Sequence, residues 1–432
     1  LGAQRSGITW NGCPPEMLEV NRRYNTAHKG DSDNYMQNHL QGVYIHQFKS
    51  RMFLTTTLNY TRGGGYYKTF LASSGPEAEL RQAESNNYYV VSTNLTWKGS
   101  ISSIVANVSG SIYDGEHHNF YYGSSGEISD NICSSDALKK DVSTFVRGEF
   151  KLGRATLYGD LQLRGIDYSL SGLDDCLVDI GSRHKYLFFN PKGGVTVSLG
   201  NAGSVYGSVA VGHKEPTRAD ITAAIGAGDG SSVLAERLAD FELGWRRQSE
   251  KFSASVNLYM MEYRDQLLET GRLSADGYKI KANVPYSYRR GVELTAAVKP
   301  LKWLQFDANS TFSTNRIVDR ETGLKTQIVM SPAAVGMVMA TVSPFAGFTA
   351  SLSWKYVGSQ YYDNTQSAER KLPAYDVWNT GAEYAFRKVK FAIFVNNLFN
   401  RKYVADAWFD GTDAGFFPQA EINFNFKLTI TL

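Results

Sequence analysis

The sequence predicts an all-β fold, a transmembrane barrel of antiparallel strands. Three observations lead there. Apolar and polar residues alternate with period two along most of the chain, the segments that alternate are joined by connections that are short and long by turns, and no helical pattern of three or more turns stands out.

Taken in order, the alternating segments lie near 40–49, 52–61, 89–98, 101–114, 142–152, 154–164, 190–199, 203–213, 236–247, 252–260, 289–299, 304–312, 331–342, 348–356, 375–386, 388–398 and 422–432. The last is the clearest. Ile422, Phe424, Phe426, Leu428, Ile430 and Leu432 alternate with Asn423, Asn425, Lys427, Thr429 and Thr431, and a strand puts those two sets on opposite faces. Tyr89, Val91, Leu95 and Trp97 likewise oppose Ser92, Asn94, Thr96 and Lys98. The count is about seventeen, each near the 9–11 residues that cross a bilayer at a tilt.

One uncharged stretch, Thr326 to Trp354, competes as a transmembrane helix. Pro332, Pro344, Gly336 and Gly347 interrupt it, and from Phe348 it alternates strictly, so two strands joined by Ser-Pro-Phe-Ala-Gly are expected instead.

Short connections fall near Ser50, Gly99, Gly153, Asn201, Ser249, Pro300, Phe345 and Arg387. Long ones span roughly 62–87, 115–141, 165–189, 214–235, 263–288, 315–330, 358–374 and 399–419 and are rich in Gly, Ser, Asp, Asn and Tyr. Outer-membrane barrels have this asymmetry, with short periplasmic turns and long extracellular loops. Soluble sandwiches and propellers also alternate, but they do not require one-sided loop lengths, and no fixed-period repeat is present.

Composition agrees. A mean hydropathy of −0.32 argues against a polytopic helical membrane protein but not against strands that are half apolar. Aromatic residues at 13% exclude intrinsic disorder, and a net charge of +3 is too small to argue for nucleic acid. Three widely spaced cysteines, Cys13, Cys133 and Cys176, make no disulfide scaffold and no thiolate metal site, although Cys133 and Cys176 fall in neighbouring loops and a bridge between them stays open. The chain opens at Leu1 without an initiator Met or a signal peptide, so a leader was removed or the chain begins inside a larger product.

In a barrel the apolar face meets lipid. The inward set then includes Arg147, Glu149, Lys151, Asp240, Glu242, Arg246, Glu293, Lys355, Glu383 and Lys427, a charged lumen of both signs.

Several segments resemble TonB-dependent outer-membrane receptors. NNLFNRKY, with Asn396, Asn397, Phe399, Asn400 and Tyr403, looks like that family's signature near the C-terminus. GHKEPTRAD, with Glu215, Pro216 and Arg218, followed by LAERLADFELGW, with Glu242, looks like its central motif pair. NVPYSYRRGVEL, KYVGSQYYDNT and the final FFPQAEINFNFKLTITL keep the register, and SDNYMQNHLQGVY adds a weaker match, so the resemblance runs from about Ser32 to the end.

The resemblance implies a 22-stranded barrel with an N-terminal plug inside it. Counted back from the C-terminus, roughly the first five strands and the plug are absent, with 1–39 the end of an extracellular loop and 40–432 the barrel portion. A second polypeptide or a missing segment would supply the rest. The family usually ends in an aromatic residue, and Leu432 departs from that while keeping its parity.

No catalytic constellation and no cofactor site is recognised. His117-His118 is the one His pair, in an expected external loop beside Tyr121 and Tyr122, and neighbouring His on a strand point apart. Haem receptors of the family carry a His between the two central motifs, and the interval Ile221 to Val233 has none. GAGDG (Gly226 to Gly230) lacks the Gly-Lys-Ser/Thr of a phosphate loop, and DGTDAG (Asp410 to Gly415) and Asp174-Asp175 fall short of a calcium site. Loop aromatics including Tyr121, Tyr122, Tyr361, Tyr362 and Trp408, with His117 and His118, are the candidate ligand contacts, and the same residue types suit an interfacial girdle.

The resemblance implies an outer-membrane importer of a scarce solute, most often a ferric chelate, energised through TonB. Its partners would be the small-molecule ligand, the TonB complex reached through the plug, and outer-membrane lipid or lipopolysaccharide. A passive porin and a structural barrel in a larger outer-membrane assembly are the competing readings.

Overall fold

The computed structural model describes residues 2–8, 10–70, 79–123, 132–174, 177–226, 233–273 and 279–431. Nineteen strands form one antiparallel sheet. Short β1 (Gly2–Gly7) pairs with β2 (Ser32–Lys49), and the wall continues through β3 (Met52–Phe70), β4 (Glu79–Lys98), β5 (Ser102–Tyr122), β6 (Cys133–Leu152), β7 (Ala155–Gly172), β8 (Ser182–Ser198), β9 (Ser204–Lys214), β10 (Glu236–Gln248) and β11 (Phe252–Arg264). A hairpin of β12 (Gln266–Leu273) and β13 (Lys279–Val284) stands outside it. The wall resumes with β14 (Ser287–Leu301), β15 (Leu304–Val318), short β16 (Lys325–Gln327), β17 (Ala334–Val342) and β18 (Phe348–Val357). Two-residue β19 (Gln360–Tyr361) and β20 (Lys371–Leu372) pair above it; then come β21 (Tyr375–Phe386), β22 (Val389–Asn396), the loop hairpin β23 (Val404–Phe409) and β24 (Ala414–Pro418), and β25 (Asn423–Ile430). Without β1 and β16, seventeen long strands remain in the sheet, each paired with its successor.

The short turns fall where the sequence places them. Two residues link β6 to β7, with Gly153 at φ +61°, and two link β21 to β22, with Arg387 at φ +52°. Thr326 to Trp354 is not a helix: it contributes β17 and β18, joined at Gly347 (φ +82°). No helix among the described residues is long and apolar enough to cross a membrane, which has no bearing on strands.

Parity sorts the two faces. Phe424, Phe426, Leu428 and Ile430 are 59%, 74%, 58% and 60% exposed on the outer face, a pattern only an apolar surrounding stabilises. Across the inner face, charges pair between neighbouring strands, with Arg147–Asp160 at 2.6 Å and Lys390–Glu383 at 2.5 Å. Inner tyrosines key the register. Tyr158, Tyr206 and Tyr259 each lie over the glycine directly opposite on the next strand, Gly194, Gly244 and Gly291, where a Cβ would strike the ring. The Tyr206 hydroxyl then donates to Asn257 Oδ1 at 3.0 Å.

Four expectations are corrected. Strands β2 to β8 are 17 to 21 residues long rather than 9–11, so their upper halves stand above any bilayer. His117, His118, Tyr121 and Tyr122 therefore lie on the upper part of β5 and not in a loop. Residues 1–39 are not all loop: Gly2–Gly7 is a strand and β2 begins at Ser32. And the connection 214–235 contains a helix, α1 (Arg218–Gly226). Among the described residues β25 pairs with β22 alone, and β2 pairs with β1 only from Ser32 to Gln37, so the sheet has two open edges.

Candidate functional site

The long-loop end of the lumen carries the site. It is built in two parts, a helix pinned to the inner wall and a roof of interlocked loops.

The helix begins where β9 ends. Thr217 caps it: the Asp220 N–H donates to Thr217 Oγ1 at 3.2 Å, while Asp220 Oδ2 accepts from the Thr217 N–H at 3.0 Å and its hydroxyl at 2.7 Å. This reciprocal cap satisfies donors that the first turn leaves free. Ile221 then packs into a cluster with Ala137, Ile166, Tyr168, Leu170 and Phe188 of the wall and Ile180 of the β7–β8 connection, and Ile225 lies against it.

Polar contacts lock the same segment. Glu215, 8% exposed, accepts from Lys139 at 2.5 Å and from both Arg164 Nη atoms at 2.9 Å. Arg164 also pairs with Asp141 at 2.5 Å. Pro216 is fully buried, the Arg218 guanidinium donates to Ser135 Oγ at 2.8 Å, and Lys281 of β13 pairs with Asp220 at 3.0 Å. Burial pushes the Glu215 carboxyl up, but Lys139, its own backbone N–H and Arg164 outweigh that and hold it below the usual carboxylate range. Asp220 is likewise raised by burial and brought below its ordinary value by Thr217 and Lys281.

The roof lies over the other half. Tyr362, Leu372 and Ala407 are buried together, with Met330, Val404, Phe409 and Phe416 against them. The Arg370 guanidinium stacks 3.5 Å from the Phe409 ring centroid. The excursion between β1 and β2 joins in: Cys13 and Phe416 exchange backbone hydrogen bonds of 2.6 and 2.9 Å, Trp408 Nε1 donates to the Asn11 carbonyl at 3.1 Å, and Arg22 donates to the Tyr403 carbonyl at 2.9 Å. Loops from the first and last strands are thus stitched together above the open edges.

Beneath, a cavity of about 340 Å³ is lined by Glu242, Asn257, Tyr259, Arg289, Glu293 and Asn315 of the wall together with the apolar Met261, Met330, Pro332 and Val335. Arg289 reaches Ser331 Oγ of the loop above at 2.9 Å. A chamber with a few convergent polar groups set among apolar side chains can hold a small ligand.

The sequence-predicted residues divide accordingly. His117 faces inward, opposite Glu84 and Ser135, while His118 faces outward and stacks on Phe120, so the pair does not converge. Tyr121 and Tyr122 also go to opposite faces, and the Arg81 guanidinium sits 4.0 Å from the Tyr122 ring. Tyr361 is half-buried beside the Lys371 ammonium, and Tyr362 is 4% exposed inside the roof. Among the described residues no three His, Cys, Asp or Glu gather in a metal-holding group. Asp410 Oδ1 accepts the Thr412 and Asp413 N–H groups and so closes the β23–β24 turn. Cys176, Asp175, Leu432 and the run 227–230 lie outside the described residues.

The C-terminal motif proves architectural. Asn397, at φ +52° and 3% exposed, takes the Arg401 N–H at 2.8 Å and donates to the Arg401 and Ala420 carbonyls at 2.8 and 3.1 Å. Asn400 accepts the Ile422 N–H at 2.8 Å, and Asn396 donates to Asn423 at 2.9 Å. Phe399, 70% exposed, meets Trp378 edge-on, and Tyr403 stacks on Tyr375 at 4.4 Å. The wall partners Lys139, Asp141, Arg164 and Ser135 were missed, although Lys139 and Asp141 share the parity of Arg147, Glu149 and Lys151.

An antiparallel sheet with apolar residues outside and a charged inside defines the wall of a transmembrane β-barrel. The chain belongs to the TonB-dependent receptor family: residues 5–398 match the model of the TonB dependent receptor-like β-barrel, a family of transporters and receptors. No curated protein sequence matches it. Similar solved structures include the ferric yersiniabactin uptake receptor FyuA from Yersinia pestis (14% identity, TM-score 0.75, 99% of this chain and 66% of that one). The ferric citrate transporter FecA in its unliganded form (15%, 0.79, 99% and 66%) and the copper transporter OprC (15%, 0.77, 94% and 67%) share the fold. The chain thus spans about two thirds of the length of these receptors.

Proposed function

We propose that this chain forms the wall, loops and gate seat of a Gram-negative outer-membrane receptor that imports a scarce solute, a ferric chelate being the first candidate. The observation that carries this reading is the chamber between the inner wall and the loop of Met330 and Ser331, into which Glu242, Arg289 and Glu293 bring charge. A passive pore works best with a clear mouth, whereas capture from dilute solution needs fixed polar groups under loops.

In this reading the loops and the upper inner wall hold the ligand, with Glu242, Arg289 and Glu293 facing it. His117, Tyr121, Tyr361 and Trp408 stand near the entrance. A plug and the strands that close the ring come from a further segment or a second polypeptide, and that plug engages TonB. The two open edges support this, since unpaired backbone groups in hydrocarbon cost several kcal/mol each.

Uptake of radiolabelled iron chelates tests it. Cells under iron limitation should accumulate one chelate only when both this chain and TonB are present. Accumulation that persists without TonB would favour a passive porin. Failure with every chelate, together with co-purification of a stoichiometric partner, would favour a structural barrel.

A further inference from the structure

The inner wall carries a row of polar groups apart from both the chamber and the roof. Tyr35, Gly65, Glu84, His117 and Ser135 are successive cross-strand partners from β2 to β6. One step below run Gly63, Asn86 and Gly115, and one step above Asp33 is opposite Tyr67. His117 faces inward, so the whole row does, on the upper halves of these strands above the bilayer.

The glycines make the row a hollow. The Tyr35 hydroxyl and the Asn86 amide lie over Gly63, and the Tyr113 ring lies over Gly115, where a Cβ would strike them. On the rim Trp10, 48% exposed, meets Tyr67 edge-on at 4.9 Å.

The polar groups of the hollow lack partners. Asn86 is 9% exposed, yet among the described residues its side chain makes no hydrogen bond. The Glu84 carboxylate likewise has no hydrogen bond and no ion pair among them. Burial and the Asp33 carboxylate push the Glu84 carboxyl up, against the pull of Arg218.

On the side of α1, one Arg218 Nη donates to Ser135 Oγ at 2.8 Å, while Nε is buried with no acceptor. Arg218 and Glu84 feel each other's charge but form no ion pair, so a gap separates them. Burial, Arg218 and His118 push the His117 imidazole down to about 4, and it adds no charge at neutral pH.

Native structures rarely leave buried polar groups unpaired. Here the unmet demands are opposite in kind. Glu84 and Asn86 Oδ1 call for donors, and Arg218 Nε calls for an acceptor. A bare anion would be repelled by Glu84 and Asp33. A bare amine would leave Arg218 Nε unpaired. A molecule with an ammonium and a carboxylate on one carbon satisfies both sides of the gap.

We propose that this hollow binds an α-amino acid headgroup of the cargo. Its ammonium sits at Glu84 and Asn86, its carboxylate accepts from Arg218 Nε, and an apolar side chain rests against Tyr67 and Trp10. This deepens the import reading and rests on it, by naming a chemical group of the imported solute.

Saturation-transfer NMR on the detergent-solubilised protein tests this with L-leucine as the probe. Binding is read without uptake, so failure here leaves the chelate experiment untouched. L-leucine should bind, and isoamylamine, which lacks the carboxylate, should bind at least fivefold more weakly. Isocaproate, which lacks the ammonium, should also bind at least fivefold more weakly. E84Q should weaken leucine about fivefold without weakening isocaproate. R218K keeps the charge but lacks Nε, and should weaken leucine about fivefold while leaving isoamylamine unchanged. K185Q, on the outer face of β8, should change nothing. Heat-modifiable gel mobility reports whether each variant is folded, and N86A, expected to weaken leucine about threefold, serves if E84Q does not fold. No transfer from leucine would overturn the proposal. Equal binding of leucine and isoamylamine would overturn it by revealing a simple cation site. Equal binding of leucine and isocaproate would do so by revealing an anion site at Arg218.

Discussion

Arg164 presents both Nη atoms to the two carboxylate oxygens of Glu215, each at 2.9 Å, and so ties a wall strand to the loop that carries α1. Bidentate pairs of this kind fix orientation as well as distance. With Lys139 and Asp141 they form a four-residue charge cluster at the base of the loop.

Removing one member of that cluster strands the others. Glu215→Gln should weaken docking of α1 by about 2 kcal/mol, a value reduced from the fully buried case because Arg164 and Lys139 are partly solvated. Amide exchange across residues 218–226 should accelerate at least tenfold, while the heat-modifiable band of the barrel persists. Unchanged exchange would mean that the apolar contacts of Ile221 hold the helix alone.

Acid should have the same effect. Both Glu215 and Asp220 sit below their ordinary pKa values in the folded chain. Their stabilisation is therefore complete above the unfolded carboxylate value near about 4, and is lost as pH falls through the folded value. A fluorophore on α1 should report a docked helix from pH 7 to about 5 and release below about 4. Release at pH 6 would contradict the assignment.

Asn397 combines a left-handed backbone with side-chain bonds to both the Arg401 and Ala420 regions. Asn397→Ala loses the bonds and strains φ, and should destabilise the barrel by about 2–3 kcal/mol in urea titrations in lipid vesicles. Asn397→Gly relieves the φ strain and should recover about 1 kcal/mol of that. Equal loss in both would assign the whole effect to the hydrogen bonds.

The tyrosine–glycine contacts predict an asymmetry. Gly244→Val drives a side chain into the Tyr206 ring and should cost about 1–3 kcal/mol. Tyr206→Phe keeps the ring over Gly244, gives up only the bond to Asn257, and should cost about 1 kcal/mol. The two are compared by urea midpoints, and a larger loss in the phenylalanine variant would refute the packing role.

Much of this wall is legible in the sequence because the membrane imposes a simple rule. Wherever one face meets hydrocarbon, as at Phe424 and Phe426, period two is plain. Above the bilayer both faces are wet, so Gly63-Gly64-Gly65, Asn86-Asn87 and His117-His118 read as loop although they continue β3, β4 and β5. Helix α1 escapes for a related reason: it is nine residues long, and the contacts that hold Ile221 and Ile225 come from distant strands.

The sequence by itself determined the strand alternation, the one-sided loop lengths and the family motifs, because each is local and set by periodicity or turn chemistry. Only the tertiary structure decided that Glu215 meets Arg164 and Lys139, that Tyr362 lies inside a roof, and that Glu84 shares a row with Tyr35 and His117 on the inner wall. Those relations depend on strand register and curvature, which bring together residues up to 76 positions apart in the Lys139–Glu215 pair and nearly 400 apart where Trp408 meets Asn11.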